Sequence, residues 1–296
     1  MLVTIGMPVY NRPKELERAL NAVLSQTYTN IEVVISNNFS TDIRVDELVK
    51  KYLQSDIRIR YFFQANPLPV IDNFKFVLEK ASGEYFMWLA DDDWVDKNYI
   101  EECIYFLSNN SDYNLACGEC AYHDIAGNLI DQFKMPPLIS SDPVNRVIEY
   151  YRHVKLNGYF YGLRKTSLSR EFSLQNKMAF DWIYMAAIIY RGKSKVFANT
   201  LMHITAGGIS NDATEMNRNM GANNFFTRNF VGITSSANAA WDVFKKGIYP
   251  ISIFSKLIFS VRIFFTVLSK TIMWDIIHVK RFFFGIRGKN NRATTN

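Results

Sequence analysis

Cysteine is scarce in this chain, with three among 296 residues. Three thiols are too few, and too odd in number, for a disulfide framework. Cys117 and Cys120 have the spacing of a redox or zinc motif. A zinc site needs a second pair of ligands, however, and Cys103 with the four histidines of the chain supplies a poor one. The sequence therefore predicts reduced thiols, which is the usual state of cysteine in a cytoplasmic protein.

The chain also lacks the glycine-rich loops that bind dinucleotides or nucleoside triphosphates. The stretch GMPVYN, which follows the first apolar run, has no G-x-G-x-x-G pattern. The stretch GKS at 192–194 has the end of a phosphate loop, but Ala187 stands where that loop requires a glycine. A nucleophile elbow and a Ser-His-Asp order are missing as well. These absences disfavour nicotinamide chemistry, P-loop chemistry and acyl hydrolysis.

No run of about twenty uninterrupted apolar residues is present, which is the length that a membrane-spanning helix needs. In the most apolar segment, near the C-terminus, Lys256, Arg262 and Lys270 interrupt the run. The first residues, MLVTIGMPVYN, have neither the basic region nor the cleavage site of a signal peptide. We therefore expect the N-terminal part of the protein to face the cytoplasm.

What the chain does have is an alternation of short apolar runs and amphipathic segments. Hydrophobic residues make up 48% of the chain and the net charge is +6, values typical of a folded and mildly basic protein. Buried strands are predicted at 2–7, 31–36, 57–63 and 84–90. The segments between them have helical periodicity, and we expect Asn11 to cap the first helix. Strands that alternate with helices predict an α/β fold with a parallel sheet.

Polar clusters follow three of these strands. They are PVYNR at 8–12, SNNFSTD at 36–42 and ADDDW at 90–94. Ligands of parallel α/β sheets bind at the carboxyl ends of the strands, so we expect the three clusters to line one site. Adjacent carboxylates suit Mg²⁺ or Mn²⁺, which in turn binds a diphosphate. The alternative is a solvated acidic turn that caps the following helix.

The chain resembles the family 2 glycosyltransferases from residue 3 to about residue 210. The resemblance rests on VTIGMPVYNRPKELERALNAVLSQTYTNIEVVISNNFSTD, on ASGEYFMWLADDDW and, more weakly, on FDWIYMAAIIYRGK. It implies the GT-A fold, a Rossmann-like and mostly parallel sheet flanked by helices. It also implies inverting transfer of a sugar from a nucleotide-diphosphate sugar of UDP or dTDP type to a saccharide or lipid-linked saccharide, with Mg²⁺ or Mn²⁺ holding the diphosphate.

The resemblance assigns residues to the nucleotide pocket. Pro8, Tyr10 and Asn11 would line it, with Tyr10 beside the base, and Arg12 would lie near the ribose or a phosphate. NNFSTD stands where the family usually has D-D-G-S-T-D. Asn37 therefore replaces the acidic residue that accepts the pyrimidine N3–H, and its amide carbonyl could still accept that hydrogen bond without charge assistance.

The metal and catalytic residues follow from the same resemblance. The family commonly has L-D-x-D-D, so the first aspartate of that motif is Ala90 here, and Asp91 could take over its role or contact the ribose. Asp92 falls on the position expected to ligate the cation, and Asp93 is the next candidate. Asp181 matches the position of the catalytic base, which removes a proton from the acceptor hydroxyl. The alternative for Asp181 is an ordinary helix N-cap.

The substrate loop of the family usually reads Y-R-x-H-x-G-G-x-S and is MHITAGGIS here. The expected histidine falls on Thr205, and His203 lies two residues earlier. Either His203 reaches the pocket or that contact is missing, and a structural role for His203 is the favoured interpretation.

The composition changes after about residue 211, which predicts a catalytic domain at 1–210 and a helical region at 211–296. An apolar helical face is predicted from Leu257, Val261, Phe264, Phe265, Leu268 and Ile272. Lys280, Arg281, Arg287 and Lys289 would then lie near anionic head groups of a membrane. We accordingly expect a peripheral enzyme on the inner face of the cytoplasmic membrane. The alternative is a helix packed on the catalytic domain or on a second subunit.

Two other functions remain open. The departures at Asn37 and Ala90 would suit an inactive relative that binds a nucleotide-sugar without transferring it. A nucleotidyltransferase also uses aspartates at a sheet edge, but it would have a glycine-rich, basic loop where this chain has PVYNRPKE. Nucleic-acid binding is disfavoured because the aromatic residues of the basic tail are not spaced as a stacking platform. The sequence leaves a homo-oligomer open.

Overall fold

The computed structural model describes residues 1–154, 157–206, 227, 230–245 and 247–284. Within the last range, the side chains at 274 and 277–284 are not described.

The first sheet has the strand order β3-β2-β1-β4-β8. Its strands are β1 (Val3–Val9), β2 (Ile31–Asn37), β3 (Ile59–Phe63), β4 (Tyr85–Trp88) and β8 (Arg164–Lys165). β1 to β4 are mutually parallel, and β8 joins antiparallel to β4. The predicted α/β fold with a mostly parallel sheet is therefore confirmed.

Helices cover this sheet because its central strands are apolar on both faces. All seven residues of β1 are buried. The helices that connect these strands and follow them are α1 (Pro13–Leu24), α2 (Ile43–Leu53), α3 (Val70–Glu79) and α4 (Tyr99–Asn109). α1 buries one apolar face, which comprises Leu16, Ala19, Leu20 and Val23. Parallel strands covered on both faces read as continuous apolar runs rather than alternating ones.

Two boundaries near the start of the chain differ from the prediction. β1 continues through Pro8, which pairs with Ser36 of β2 but lies beyond the residues of β1 that pair with β4. A proline lacks the N–H that a second neighbouring strand would need, so it is tolerated there. The prediction that Asn11 caps α1 is wrong: Arg12 holds the N-cap position without a side-chain cap, and Asn11 has a left-handed φ of 55°.

A second sheet, not predicted from the sequence, has the order β5-β9-β6-β7. Its strands are β5 (Trp94–Val95), β6 (Tyr113–His123), β7 (Leu129–Phe133) and β9 (Lys193–Thr205). β5 begins directly after the three aspartates, so this sheet continues the edge on which they lie. Cys117 and Cys120 lie within β6 as buried free thiols, and burial raises the pKa of both.

The remaining helices lie beside these sheets. They are α5 (Pro143–His153), α6 (Thr166–Glu171), α7 (Phe180–Arg191), α8 (Val231–Asp242) and α9 (Ile253–Phe284), with a 3₁₀ turn at Gly158–Tyr161. α9 packs on α8 and α5 and buries Phe259, Ile263 and Val267. Among the described helices, none combines the length and the apolar character needed to cross a bilayer.

Candidate active site

The three aspartates form a tight turn between β4 and β5, where the buried strand reaches the edge of the sheet. Relative exposures of Asp91, Asp92 and Asp93 are 4%, 8% and 3%, so all three are buried. Arg12 contacts two of them, since its Nη1 lies 3.0 Å from Asp91 Oδ1 and 2.7 Å from Asp92 Oδ2. The backbone N–H of Tyr10 donates to Asp91 Oδ2 at 2.7 Å. The turn is therefore bound to the loop after β1 rather than exposed to solvent.

Burial of like charges perturbs the titration of these carboxyls. Desolvation and then the charge of Asp92 raise the pKa of Asp91 to about 7, against the opposing effect of Arg12. Desolvation also raises the pKa of Asp92, and it raises that of Asp93 well above its ordinary value. Buried carboxylates favour a bound cation because it offsets both desolvation and mutual repulsion.

Two residues that the sequence analysis did not identify hold the turn in place. Arg18 donates from Nη2 to the carbonyl oxygen of Asp92 at 2.8 Å, and its guanidinium stacks 3.8 Å from the ring centre of Trp94. Asp93 accepts the backbone N–H of Thr205 at 2.9 Å and a hydrogen bond from Tyr161. No local pattern identifies either residue, because Arg18 lies on an ordinary amphipathic helix and Tyr161 in a short aromatic turn.

Asn11 joins the loops after β1 and β2. Its Oδ1 accepts the backbone N–H groups of Thr41 at 2.8 Å and Asp42 at 3.0 Å. The backbone N–H of Asn11 donates to Ser40 Oγ at 3.0 Å. A left-handed backbone conformation is tolerated by asparagine more readily than by most residues. Asn11 therefore fixes the relative positions of the two loops that are predicted to line the nucleotide pocket.

Asn37 is fully buried, and both ends of its amide are already used within the protein. Its Oδ1 accepts the backbone N–H of Ser40 at 2.9 Å, and its Nδ2 donates to Tyr61 Oη at 2.8 Å. The predicted contact of Asn37 with the base would have to use the second lone pair of Oδ1, on a side chain that is fully buried. Tyr10, in contrast, is 48% exposed at the end of β1.

Asp181 lies in the first turn of α7, two residues after Ala179, which holds the N-cap position with a φ of 60°. The interpretation of Asp181 as an N-cap is therefore wrong. Its Oδ2 accepts from Asn157 Nδ2 at 2.9 Å. Desolvation raises the pKa of Asp181, and the hydrogen bond from Asn157 opposes that change.

Tyr161 connects the aspartate turn with α7. Burial, followed by the negative charges of Asp93 and Asp92 and by its hydrogen bond to Asp93, raises the pKa of Tyr161. The charge of Asp181 acts on Tyr161 in the same direction. The structure therefore brings carboxylates about ninety positions apart in the chain close to one tyrosine.

The sequence profile described as glycosyl transferase family 2 matches residues 4–187. This chain belongs to glycosyl transferase family 2. Glycosyltransferase GlyA of Streptococcus pneumoniae is 37% identical over 100 residues, which cover 33% of this chain and 14% of GlyA. The chain spans about half or less of the length of the first curated relatives that it matches.

Two solved structures share the fold. TarS 1-349 of S. aureus in complex with UDP-GlcNAc matches with a TM-score of 0.67 at 16% identity, over 97% of this chain and 76% of TarS 1-349. The mannosyltransferase PcManGT of Pyrobaculum calidifontis, in complex with GDP-Man and Mn²⁺, matches with a TM-score of 0.53 at 12% identity, over 95% of this chain and 87% of that one. The predicted GT-A fold is confirmed.

His203 is part of a hydrogen-bonded group in this family 2 member. Its Nε2 lies 2.9 Å from Asp96 Oδ1, and its Nδ1 lies 2.9 Å from His123 Nε2. The ring also stacks on Trp94, with ring centres 4.9 Å apart and an interplanar angle of 2°. Both ring nitrogens are therefore engaged between β5, β6 and β9, as the structural interpretation of His203 predicts.

Membership of glycosyl transferase family 2 implies a divalent cation, and the carboxylates of the aspartate turn are its candidate ligands. Within the described ranges, no three acidic, histidine or cysteine side chains converge to enclose a metal ion. Mg²⁺, however, is commonly bound by one or two carboxylates together with substrate phosphates and water. Asp91 and Asp92 offer hard oxygen ligands of that kind, and both contact Arg12. The donor set fits a cation whose coordination is completed by a diphosphate.

The acidic turn does not cap the helix that follows it. α4 begins at Tyr99, and the residue before it, Asn98, makes no side-chain cap. The alternative interpretation of the triplet as a capping turn is therefore wrong.

Proposed function

We propose that this chain transfers a sugar from a nucleoside diphosphate sugar to a hydroxyl group of a saccharide or lipid-linked saccharide, with inversion at the anomeric carbon. The observation that carries the proposal is that Asp181, Asp92 and Asp93 all lie close enough to Tyr161 for their charges to act on its hydroxyl group. An inverting displacement requires a basic group for the acceptor hydroxyl and a diphosphate-binding group within the same site.

Asp181 is the proposed general base. Its carboxylate would take the proton of the acceptor hydroxyl while the oxygen attacks the anomeric carbon and the bond to the diphosphate breaks. A carboxylate with a raised pKa accepts a proton more readily than an ordinary one. Asn157 would orient the carboxylate through its hydrogen bond to Oδ2.

The leaving diphosphate is proposed to bind at the aspartate turn. Asp92, with Asp93 or Asp91 beside it, would hold Mg²⁺ or Mn²⁺, and the bound cation would neutralise charge on the diphosphate. Arg12 lies against the same carboxylates and supplies a guanidinium that can pair with phosphate oxygens. Tyr10, exposed beside Asp91, is the proposed contact for the nucleoside, and Pro8 shapes the strand end behind it.

The proposed donor is a nucleotide-diphosphate sugar of UDP or dTDP type. The structural likeness to TarS with UDP-GlcNAc and to PcManGT with GDP-Man and Mn²⁺ supports a nucleotide-sugar and a divalent cation. The sugar donor can be found by measuring thermal stabilisation of the full chain by nucleotide-sugars with and without Mn²⁺. Donors that stabilise it would then be incubated with saccharide acceptors, and the anomeric configuration of the product determined by NMR.

Transfer with inversion is the expected result. Retention of configuration would contradict the assignment of Asp181 as base. Binding of a nucleotide-sugar without transfer to any acceptor would favour the inactive relative, and transfer of the nucleotidyl group instead would favour a nucleotidyltransferase.

A lipid-linked acceptor is proposed from the outer face of α9. Leu257, Val261 and Phe265, all from the predicted apolar face, are more than half exposed. Ile253, Phe254 and Ile258 lie on the same side and are also exposed. Phe264, Leu268 and Ile272 of the predicted face are partly buried instead. An amphipathic helix with an uncovered apolar stripe is typical of proteins that lie in the membrane interface.

Charge supports an anionic membrane as the occupant of this stripe. The chain continues past the stripe with Lys280, Arg281, Arg287 and Lys289. Each basic residue near an anionic surface contributes about 1 kcal/mol of binding free energy. The proposal puts the enzyme on the cytoplasmic face of the membrane, where lipid-linked sugars would be reached without a spanning helix.

Vesicle co-sedimentation tests the membrane proposal. We expect the full chain to bind vesicles that contain phosphatidylserine, and to bind less at high salt. Phe254→Glu together with Val261→Glu should abolish binding, whereas Tyr105→Glu, at an exposed site on α4, should not. If the chain instead forms a dimer that the same pair of substitutions dissociates, the stripe is a subunit interface and the membrane proposal fails.

A further inference from the structure

Phe39 has a backbone conformation that its side chain disfavours. It lies two residues after the end of β2 and has a φ of 59°, in the left-handed region. Bulky residues rarely adopt this conformation because the Cβ atom crowds the backbone, and glycine is the usual occupant. Glycine is also what D-D-G-S-T-D would have at this position. Backbone strain of this kind is concentrated at ligand sites. Its presence at a large residue therefore points to a functional role for the side chain.

The ring of Phe39 is exposed and lies against a second exposed ring. Phe39 and Phe63 are 42% and 51% exposed, with ring centres 6.1 Å apart and an interplanar angle of 54°. Phe63 is the last residue of β3. The pair therefore forms an apolar, open-sided aromatic surface at the carboxyl ends of β2 and β3.

This surface lies at the same edge of the sheet as the aspartate turn. In the strand order β3-β2-β1-β4, the strand ends carry Phe63, Phe39, Tyr10 and Asp91 in succession. Hydrogen bonds join the row, because Asn11 N–H binds Ser40 beside Phe39 and Tyr10 N–H binds Asp91. Neighbouring strands are about 4.8 Å apart, so the row spans roughly 14 Å, enough for an extended nucleoside diphosphate.

Asn37, at the end of β2, is fully buried and hydrogen-bonded within the protein, so it is poorly placed to bind a base edge. Asn37 uses its carbonyl for Ser40 N–H and its amide for Tyr61 Oη. A nucleobase at this end of the row would therefore meet ring faces rather than a free hydrogen-bonding partner at Asn37. Stacking on aromatic rings binds every base because every base has a π face.

We propose that Phe39 and Phe63 bind the nucleobase of the donor by stacking, an inference that rests on the proposed function. Recognition through ring faces predicts weak discrimination among bases. We expect UDP, dTDP and GDP to bind with dissociation constants within about tenfold of one another, because stacking tolerates any base.

Phe39→Gly tests the inference with little risk to the fold. It removes the ring and also the backbone strain, so the melting temperature should stay the same or rise. Titration calorimetry of the full chain with UDP and GDP should show affinity for both nucleotides reduced about 5-fold or more. Phe63→Leu, which keeps an apolar side chain, should reduce the affinity for both nucleotides in the same way. Tyr105→Ala, which removes an exposed ring on α4, is the matched control and should leave affinity unchanged.

The outcomes separate the two proposals. Wild-type nucleotide affinity in Phe39→Gly, or a wild-type preference for one base of a hundredfold or more, would overturn the stacking inference and leave the proposed function intact. Absence of nucleotide binding by the wild-type chain would overturn the proposed function, and the inference with it.

Discussion

Arg12 Nη1 contacts Asp91 Oδ1 at 3.0 Å and Asp92 Oδ2 at 2.7 Å, so one guanidinium nitrogen serves as counter-charge to two buried carboxylates. The charges of Asp91 and Asp92 raise the pKa of Arg12 against the opposing effect of its own burial. A divalent cation at the same carboxylates would make part of this pairing redundant. Arg12 would then be free to contact phosphate oxygens, which is where the family resemblance predicts it.

Arg12→Ala should destabilise the metal-free protein and make it depend on metal. Removal of one partner from a buried pair costs about 3–5 kcal/mol of unfolding free energy, and less where the pair is partly exposed to solvent. Since the Arg12 side chain is 30% exposed, we expect about 1–3 kcal/mol. Mn²⁺ should then raise the melting temperature of the variant more than that of the wild type. Arg44→Ala, which breaks an exposed pair with Asp42, is the control. An equal response to Mn²⁺ in both proteins would contradict a shared site for Arg12 and the cation.

Asp181→Asn should leave donor binding near the wild-type level and reduce transfer by about 10²-fold or more. The amide can still accept the hydrogen bond from Asn157 but cannot take a proton at neutral pH. Initial rates and the donor dissociation constant would be measured side by side. Asp142→Asn, at the N-cap of α5, is the matched control because it makes the same chemical change at a structural position. Wild-type turnover in Asp181→Asn would show that Asp181 is not the general base.

The pH dependence of transfer gives a second test of Asp181. Desolvation raises the pKa of its carboxyl, so the basic form is lost at a higher pH than for an ordinary aspartate, which titrates near pH 4. The rate should therefore increase with pH up to the raised pKa and then level off. The residual rate of Asp181→Asn should not show this increase with pH. A pH–rate profile that is the same in both proteins would show that the increase comes from the titration of another group.

Glu32 should stabilise the fold at neutral pH and cease to do so in acid. It is buried, and hydrogen bonds from Ser82, Thr4 and Arg60 lower its pKa more than desolvation raises it. A depressed carboxyl pKa contributes stability above the unfolded value of about 4.3, and this stability is lost as the pH falls through the folded value. Glu32→Gln should cost about 1–3 kcal/mol at pH 7 and flatten the decline below pH 5, measured by urea unfolding. Glu84→Gln, at an exposed site, is the control and should change neither the stability at pH 7 nor its decline below pH 5.

Asp275 should be needed to fix the start of α8. Its carboxylate on α9 is buried and accepts the backbone N–H groups of Gly232 at 2.7 Å and Ile233 at 2.9 Å. These are N–H groups that a helix leaves unpaired at its first turn. Asp275→Ala should cost about 1–2 kcal/mol of unfolding free energy and speed hydrogen exchange at both amides. Asp131→Ala, at an exposed site on β7, is the control. Unchanged exchange at Gly232 and Ile233 would show that α8 is held by its apolar contacts alone.

The first sheet could be predicted because its signals are local. Each of its parallel strands is a short apolar run, and each connecting helix shows its apolar face within a dozen residues. The second sheet could not be predicted, because β6 and β9 pair across eighty residues of chain. β6 contains CGEC and β9 contains KSK, segments whose composition is not typical of buried strands.

The candidate site could be predicted where it depends on position along a strand. Asp91 to Asp93 come directly after a buried run, which already indicates the ligand edge. The partners of these residues could not be predicted, since the contacts of Arg18 and Tyr161 depend on the second sheet and on a turn seventy residues further on. The hydrogen bonds of Asn37 could not be predicted either, because a polar residue at a strand end can point either to a ligand or to its own loop.

The inward face of α9 has a consequence for how the chain loses its structure. Phe259, Ile263 and Val267 join the same buried cluster as the strands of the first sheet, although they lie far beyond the segment that defines the family. Full burial of three such side chains is worth roughly 5–9 kcal/mol, a large part of the total stability of an ordinary domain. We therefore expect calorimetry to show one cooperative melting transition for the whole chain. A fragment that ends before α9 should be a poorly packed, protease-sensitive species, so recombinant work on this protein should keep α9.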